Sequence, residues 1–151
     1  MQPMRILVIE DNPGDVRLIR EAFRETGSQA EFQVAEDGEQ ALALLRRQPP
    51  YIEALRPNLI LLDLNLPKLD GKQVLAQIKS DESLRSIPVI ILSSSHSRED
   101  VFNSYNGYAN CYIPKPIMFD DFIKVAKGIT DFWVRVVSLP DRPHFHTARP
   151  Y

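Results

Sequence analysis

Three stretches of this chain are apolar at every position for four residues and then stop at a polar group. Ile6-Leu7-Val8-Ile9 runs into Glu10-Asp11, Leu59-Ile60-Leu61-Leu62 into Asp63, and Val89-Ile90-Ile91-Leu92 into Ser93. A strand with one wet face alternates apolar and polar residues. A strand apolar throughout must bury both faces, as strands do in parallel sheets covered by helices on either side. These runs place strands at 5–9, 59–62 and 88–92, and two weaker runs add 31–35 and 110–113.

Helix signals fill the intervals. Asn12-Pro13 supplies an N-cap and a first-turn proline. Val16, Ile19, Ala22 and Phe23 follow at helical spacing, and Gly27 offers a stop. Asp37 caps a second helix with Ala41, Leu42 and Leu45 inward. A third covers 71–80 around Val74, Leu75 and Ile78, a fourth runs from Ser97 to about Tyr105, and a fifth spans 119–137. Five βα units in strict alternation predict an α/β, doubly wound, five-stranded parallel sheet with helices on both faces. Right-handed crossovers and the placing of the acidic strand ends favour the order 2-1-3-4-5.

In such a sheet the carboxyl ends of the strands open into one crevice. Glu10, Asp11, Asp63 and Ser93 are expected to meet there. Lys115, which follows the fifth strand within Ile113-Pro114-Lys115-Pro116, joins them; a cis Lys115–Pro116 bond is one way to aim its ammonium at the crevice. Crowded carboxylates repel and hold a divalent cation well, and Mg²⁺ prefers hard oxygen ligands. A carboxylate such as Asp63 can also accept a phosphoryl group as an acyl phosphate. Taken singly these residues have plainer uses: Glu10 and Asp11 as helix-capping charge, Ser93-Ser94-Ser95 as a polar turn, Tyr112 as packing, Lys115 as a surface loop residue.

The 151 residues suffice for one domain with a full core, here 1–137, and leave 138–151 as a tail too short for a DNA-binding or enzymatic domain. Two histidines in that tail, His144 and His146, lack a third metal ligand nearby. A net charge of −2 gives no basic field for nucleic acid or anionic membrane. No apolar run nears the ~20 residues of a membrane span, no signal peptide is present, and the single cysteine, Cys111, fits a reducing compartment. The chain reads as cytoplasmic.

Segment 46–58 (RRQPPYIEALRPN) is long for a helix-to-strand connection of ~2–6 residues, and 51–55 suggests a short helical turn within it. In the last helix Phe122, Val125, Ala126, Ile129, Phe132, Trp133, Val136 and Val137 form a core-facing stripe. Ile123 and Val134 widen it beyond what one sheet can cover. The excess predicts a homodimer through helix five and strand five.

Glu10-Asp11, Asp63, Ser93 and Lys115-Pro116, in this order and spacing, resemble the receiver domain of two-component response regulators, a flavodoxin-like fold. The resemblance spans about residues 4–135. It implies that Asp63 is the phosphoacceptor for a histidine kinase or small phosphodonor. It further implies that Asp11, Asp63 and the Asn65 backbone carbonyl ligate Mg²⁺, with Glu10 reaching the metal through water. Ser93 and Tyr112 become the switch pair and Lys115 the family lysine. On phosphorylation Ser93 is drawn inward, Tyr112 follows, and the helix 4/strand 5/helix 5 surface changes. Glu10 stands where Asp is commoner, and Ser94 where Ala or Gly is.

The segments 10–15 (EDNPGD), 46–58, 63–67 (DLNLP), 110–113 (NCYI) and 131–133 (DFW) are similar to those of stand-alone regulators paired with phytochrome kinases, which implies a phytochrome as the kinase. Two other classes compete. A Mg²⁺-dependent phosphatase with an aspartyl nucleophile usually carries a DxD motif after its first strand, where this chain has Glu10-Asp11. A phosphorylation-independent scaffold would not need the acids, serine and lysine together. FMN binding lacks a phosphate-cradling loop after strand one.

Overall fold

The computed structural model describes residues 3–140; the tail histidines lie outside them. Five strands, β1 (Arg5–Ile9), β2 (Glu31–Ala35), β3 (Leu59–Leu62), β4 (Val89–Ser93) and β5 (Cys111–Pro114), form one sheet in the order β2-β1-β3-β4-β5, every pairing parallel. Helices α1 (Pro13–Glu25), α2 (Gly38–Leu45), α3 (Gly71–Ser80) and α4 (Arg98–Asn106) connect them, and α5 (Phe119–Ile129) follows β5.

The continuous apolar runs are explained by what lies on each side. Ile6, Val8, Leu59, Leu61, Ile90 and Leu92 pack with Ile19, Phe23, Phe122 and Ile129 of α1 and α5. Leu7, Ile9, Ile60, Leu62, Val89 and Ile91 pack with Ala41, Leu44, Val74 and Ile78 of α2 and α3. Successive strand residues point to opposite faces, so two cores share one sheet.

The helix starts follow the capping signals. Asn12 accepts from the backbone of Gly14 and Asp15, and Asp37 accepts from Gln40. Asp70 and Gln73 form a reciprocal capping box, and Ser97 accepts from Asp100. Gly27, at φ 73°, follows the end of α1 in the left-handed conformation that glycine adopts without a Cβ clash.

Segment 46–58 is tied down at several points. Asn58 Oδ1 accepts from the Arg5 backbone at 2.8 Å, and the Tyr51 hydroxyl accepts from Gln40 Nε2 at 2.8 Å. The Tyr51 ring and Ala54 pack on the α2–α3 core. The short helix expected at 51–55 is a single turn closed by Ala54 N–H to the Tyr51 carbonyl.

The last helix departs from expectation. α5 ends at Ile129, and Thr130–Val136 continues as a π-helical segment. Its i→i+5 bonding changes the angular step between side chains. A stripe extrapolated at the α-helical period therefore loses register: Trp133 still packs on the α1–α5 core, but Phe132 and Val136 are 51% and 72% exposed. Both were expected to face the core. Among the described residues no helix is long and apolar enough to cross a membrane.

Candidate functional site

The register of the sheet builds the site. Ile9 lies beside Leu62, and Leu62 beside Ile91, so β1, β3 and β4 end at one level. The ladder runs on past them: Glu10 N–H donates to the Ala35 carbonyl, Asp63 N–H to Ile9, and Lys115 N–H to Ser93. Each polar residue is thereby fixed by backbone bonds at the rim of a buried sheet.

Glu10 and Asp63 are buried and Asp11 is exposed, and one oxygen of each lies within 4.8 Å of the others. Lys115 Nζ reaches into this group, 2.5 Å from Glu10 Oε1, 3.0 Å from Asp15 Oδ2 and 3.3 Å from Asp63 Oδ2. The lysine achieves this with a trans Lys115–Pro116 bond; the one cis bond among the described residues is Pro49–Pro50. The backbone bond to Ser93 and the approach of β5 to β4 aim the side chain without it.

Burial pushes the Glu10 carboxyl up to about 7, and the charge of Asp63 adds to the rise against the opposing bond from Lys115. For Lys115, burial acts to lower the pKa. The bonds to Glu10 and Asp15 and the charge of Asp63 outweigh it, and the ammonium is held charged well above its usual range. One cation among so many carboxylates leaves Glu10 costly to ionise. The donor set is all hard oxygen, two members already desolvated, and this fits a divalent cation of the Mg²⁺ type.

Ser93 is fully buried, and its Oγ accepts from Ser95 N–H at 3.2 Å. Ser95 is a junction. Its carbonyl accepts from the Tyr112 hydroxyl at 2.9 Å, and its own hydroxyl donates to Asp100 Oδ2 at 2.6 Å. Asp100 in turn pairs with Lys72 at 2.7 Å. Tyr112 was expected to enter the interior as a consequence of phosphorylation; here it is already buried. Asn65 is exposed, and its N–H donates to Asp63 Oδ1 at 3.3 Å.

Glu10, Asp11, Asp63 and Lys115 come together, and the Ser93 carbonyl accepts from Lys115 N–H at the end of β4. Two neighbours were not foreseen. Asp15, in the first turn of α1, is a partner of Lys115. Gly71 stands against the Asp63 backbone, where a Cβ would run into the Asp63 carbonyl oxygen and the Leu64 Cα. The signal for Asp15 was its place one helical turn past Asp11, beside a capped helix start. The signal for Gly71 was a glycine opening a helix directly after its Asp70 cap.

The sheet order and this constellation define a phosphorylation-dependent signalling domain, and sequence comparison agrees. The family model for the response regulator receiver domain matches residues 6–127, and the chain belongs to that family. Response regulator Rcp1 of Synechocystis sp. is 44% identical over 138 residues, covering 91% of this chain and 94% of that protein. The crystal structure of the phosphorylated cyanobacterial phytochrome response regulator RcpA matches with a TM-score of 0.88 at 45% identity, covering 93% of this chain and 100% of that one. The Mn(2+)-bound form of Rcp1 gives 0.86 at 44% identity, with coverage of 92% and 100%. The protein is thus a receiver-domain response regulator, homologous to phytochrome response regulators. The phosphatase, scaffold and FMN readings are not needed.

Proposed function

We propose that Asp63 is the phosphoacceptor of this domain. The observation that carries this reading is the convergence of Glu10, Asp11 and Lys115 on a buried Asp63 carboxylate. An Asp63 oxygen attacks the phosphorus of a phosphohistidine or small acyl phosphate. An O–P bond forms, the bond to the donor breaks, and the leaving group departs with the electron pair. Asp11, Asp63 and the Asn65 carbonyl would hold Mg²⁺, with Glu10 as the further acid of the set. The bound ion would neutralise charge on the phosphoryl oxygens. Lys115 exchanges its bond to Asp63 for one to the phosphoryl. The Ser93 hydroxyl donates to another phosphoryl oxygen.

The domain acts as a phosphoacceptor rather than a turnover catalyst, assisting only its own phosphorylation and dephosphorylation. Its output is a population shift. Ser93 engaged by phosphoryl fixes the Ser95 loop, and the Ser95 carbonyl holds the Tyr112 hydroxyl in the inward arrangement. The surface of α4, β5 and α5 responds. The phosphodonor is a cytoplasmic histidine kinase of the phytochrome class, a reading supported by the relationship to RcpA. A second copy of the chain binds through α5 with its π-helical continuation and β5, supported by the exposed Phe132, Val134 and Val136 on that continuation.

Intact mass after incubation with acetyl phosphate tests the core of this. One phosphoryl adduct is expected on the wild type, dependent on Mg²⁺, and none on Asp63→Asn. An adduct on the variant would overturn the assignment. Asp11→Asn is expected to lose the thermal stabilisation that Mg²⁺ gives the wild type, about 2.7 kcal/mol at a hundredfold excess over the dissociation constant. Transfer from a phytochrome kinase should outpace transfer from an unrelated one; equal speed from an unrelated kinase, with none from a phytochrome, excludes the phytochrome pairing.

A further inference from the structure

Lys115 offers three N–H donors, and three carboxylates stand around it. Two of them, Glu10 and Asp63, belong to the trio that converges as a cation site. Asp15 does not. It lies 3.0 Å from the ammonium, closer than Asp63 at 3.3 Å, and 100 residues away in sequence. It is also the one partner rooted on a helix rather than a strand end. Its N–H donates to the Asn12 cap at 3.2 Å, behind Pro13 at the first helical position.

We infer that Asp15 is a positioning residue for phosphoryl transfer: it tethers the Lys115 ammonium beside Asp63 while the other two carboxylates change partners. The inference rests on Asp63 being the phosphoacceptor. During the reaction Asp63 turns from a carboxylate into an acyl phosphate, and its charge moves to the phosphoryl oxygens. A cation shared by the acids draws on Glu10 and Asp63. A free lysine side chain carries roughly 2 kcal/mol of rotamer entropy, and with both bonds weakened the ammonium would wander. Asp15 takes no part in the bond changes and stays anchored on α1, so the ammonium stays within reach of the incoming phosphoryl. Positioning of this kind lowers the barrier by holding reacting groups in place.

The plainer role is an acid in the first turn of α1, favourable to the helix dipole. That role affects stability and leaves the rate alone. The test uses the full chain as wild type, Asp15→Asn and Asp15→Glu. Adduct formation is followed over a range of acetyl phosphate at saturating Mg²⁺, with Mg²⁺ affinity measured by calorimetry. Asp15→Asn is expected to lower the maximal rate by roughly ten- to a hundredfold, the upper end being the scale of a 1 Å misplacement of a reacting group. Half-saturating acetyl phosphate and Mg²⁺ affinity should stay within about twofold, and Asp15→Glu should recover most of the rate because it restores the charge. An unchanged or faster Asp15→Asn, a rate loss that tracks lost Mg²⁺ affinity, or a Glu variant as slow as the Asn variant would each overturn the tether. Failure of the wild type itself to form an adduct on Asp63 would instead remove the phosphoacceptor reading beneath it.

Discussion

Gly71 contributes no side chain, yet it fixes where Asp63 can sit. Its N–H donates to the Leu64 carbonyl at 2.9 Å, and a Cβ there would overlap the Asp63 carbonyl oxygen. Backbone offers no rotamer through which to escape. Gly71→Ala is therefore expected to destabilise the fold by about 1–3 kcal/mol, the range for overpacking a tight core. It should also slow adduct formation on the surviving folded protein, because the displaced segment carries the carboxylate. Urea denaturation and intact mass check the two halves separately; a stable variant with normal uptake would mean that α3 moves aside freely. Glu10, Asp63, Ser93 and Lys115 were legible because each terminates an apolar run, and topology alone brings strand ends together. Asp15 was not, since an acid in a first helical turn already has a local explanation. The buried Tyr112 matches its plainer reading as a packing residue, but its hydroxyl bond to the Ser95 carbonyl leaves no trace in spacing.

Among the elements, the sheet and α1 to α4 follow from apolar runs and caps, with ends displaced by about one residue in β4 and β5. The π-helical segment after α5 escaped because the apolar period was carried forward unchanged through Thr130. Segment 46–58 was seen as long, but its anchorage depends on contacts distant in sequence. Arg46 bonds Gln77 at 3.2 Å and pairs with Asp81 at 3.5 Å across to the end of α3. Asp81 also accepts from the Ser83 hydroxyl at 2.7 Å and the Ser83 N–H at 2.8 Å. The Ser83 hydroxyl bond chiefly, with help from the Ser83 N–H and Arg46, holds the Asp81 carboxyl below its usual 3.8. A carboxyl depressed in the folded state stabilises above its unfolded pKa, and the benefit is lost as pH falls through the folded one. Asp81→Asn is expected to cost a few tenths of a kcal/mol near neutrality, small because water screens the pair. The gap to wild type should start to close as pH drops below 3.8. Thermal melts across that range check the sign; a gap that widens in acid would contradict it.

At the scale of the molecule, the question is what covers the apolar groups that the sheet does not. Ile117 and Met118 precede α5 and are 93% and 65% exposed; Phe132 and Val136 follow it at 51% and 72%. The π-helical turn is what moves Phe132 and Val136 off the core. The apolar excess foreseen in the sequence is present at Val134, which is 40% exposed as expected, and Phe132 and Val136, expected to face the core, add to it. Val136 is 72% exposed, while Phe132 stands edge-on to the Trp133 ring with centroids 5.4 Å apart, so replacing both should lower protomer stability by only about 0.5–1.5 kcal/mol. Clusters of exposed apolar groups mark contact surfaces, so the same replacement should act strongly on association. The double variant Phe132→Ser with Val136→Ser is expected to sediment as a monomer at micromolar concentration where the wild type is a dimer, with the protomer's urea midpoint lowered only by the loss of the Phe132–Trp133 contact. Phosphorylation enters because Tyr112, on β5, lies between the Ser95 junction and α4: its N–H donates to the Tyr105 hydroxyl at 3.2 Å. A change at Ser93 thus reaches β5, which belongs to the proposed dimer surface, and the wild-type dimerisation constant should differ between the two phosphorylation states. A strict monomer in both states would remove the dimer from this account and leave the phosphoacceptor site untouched.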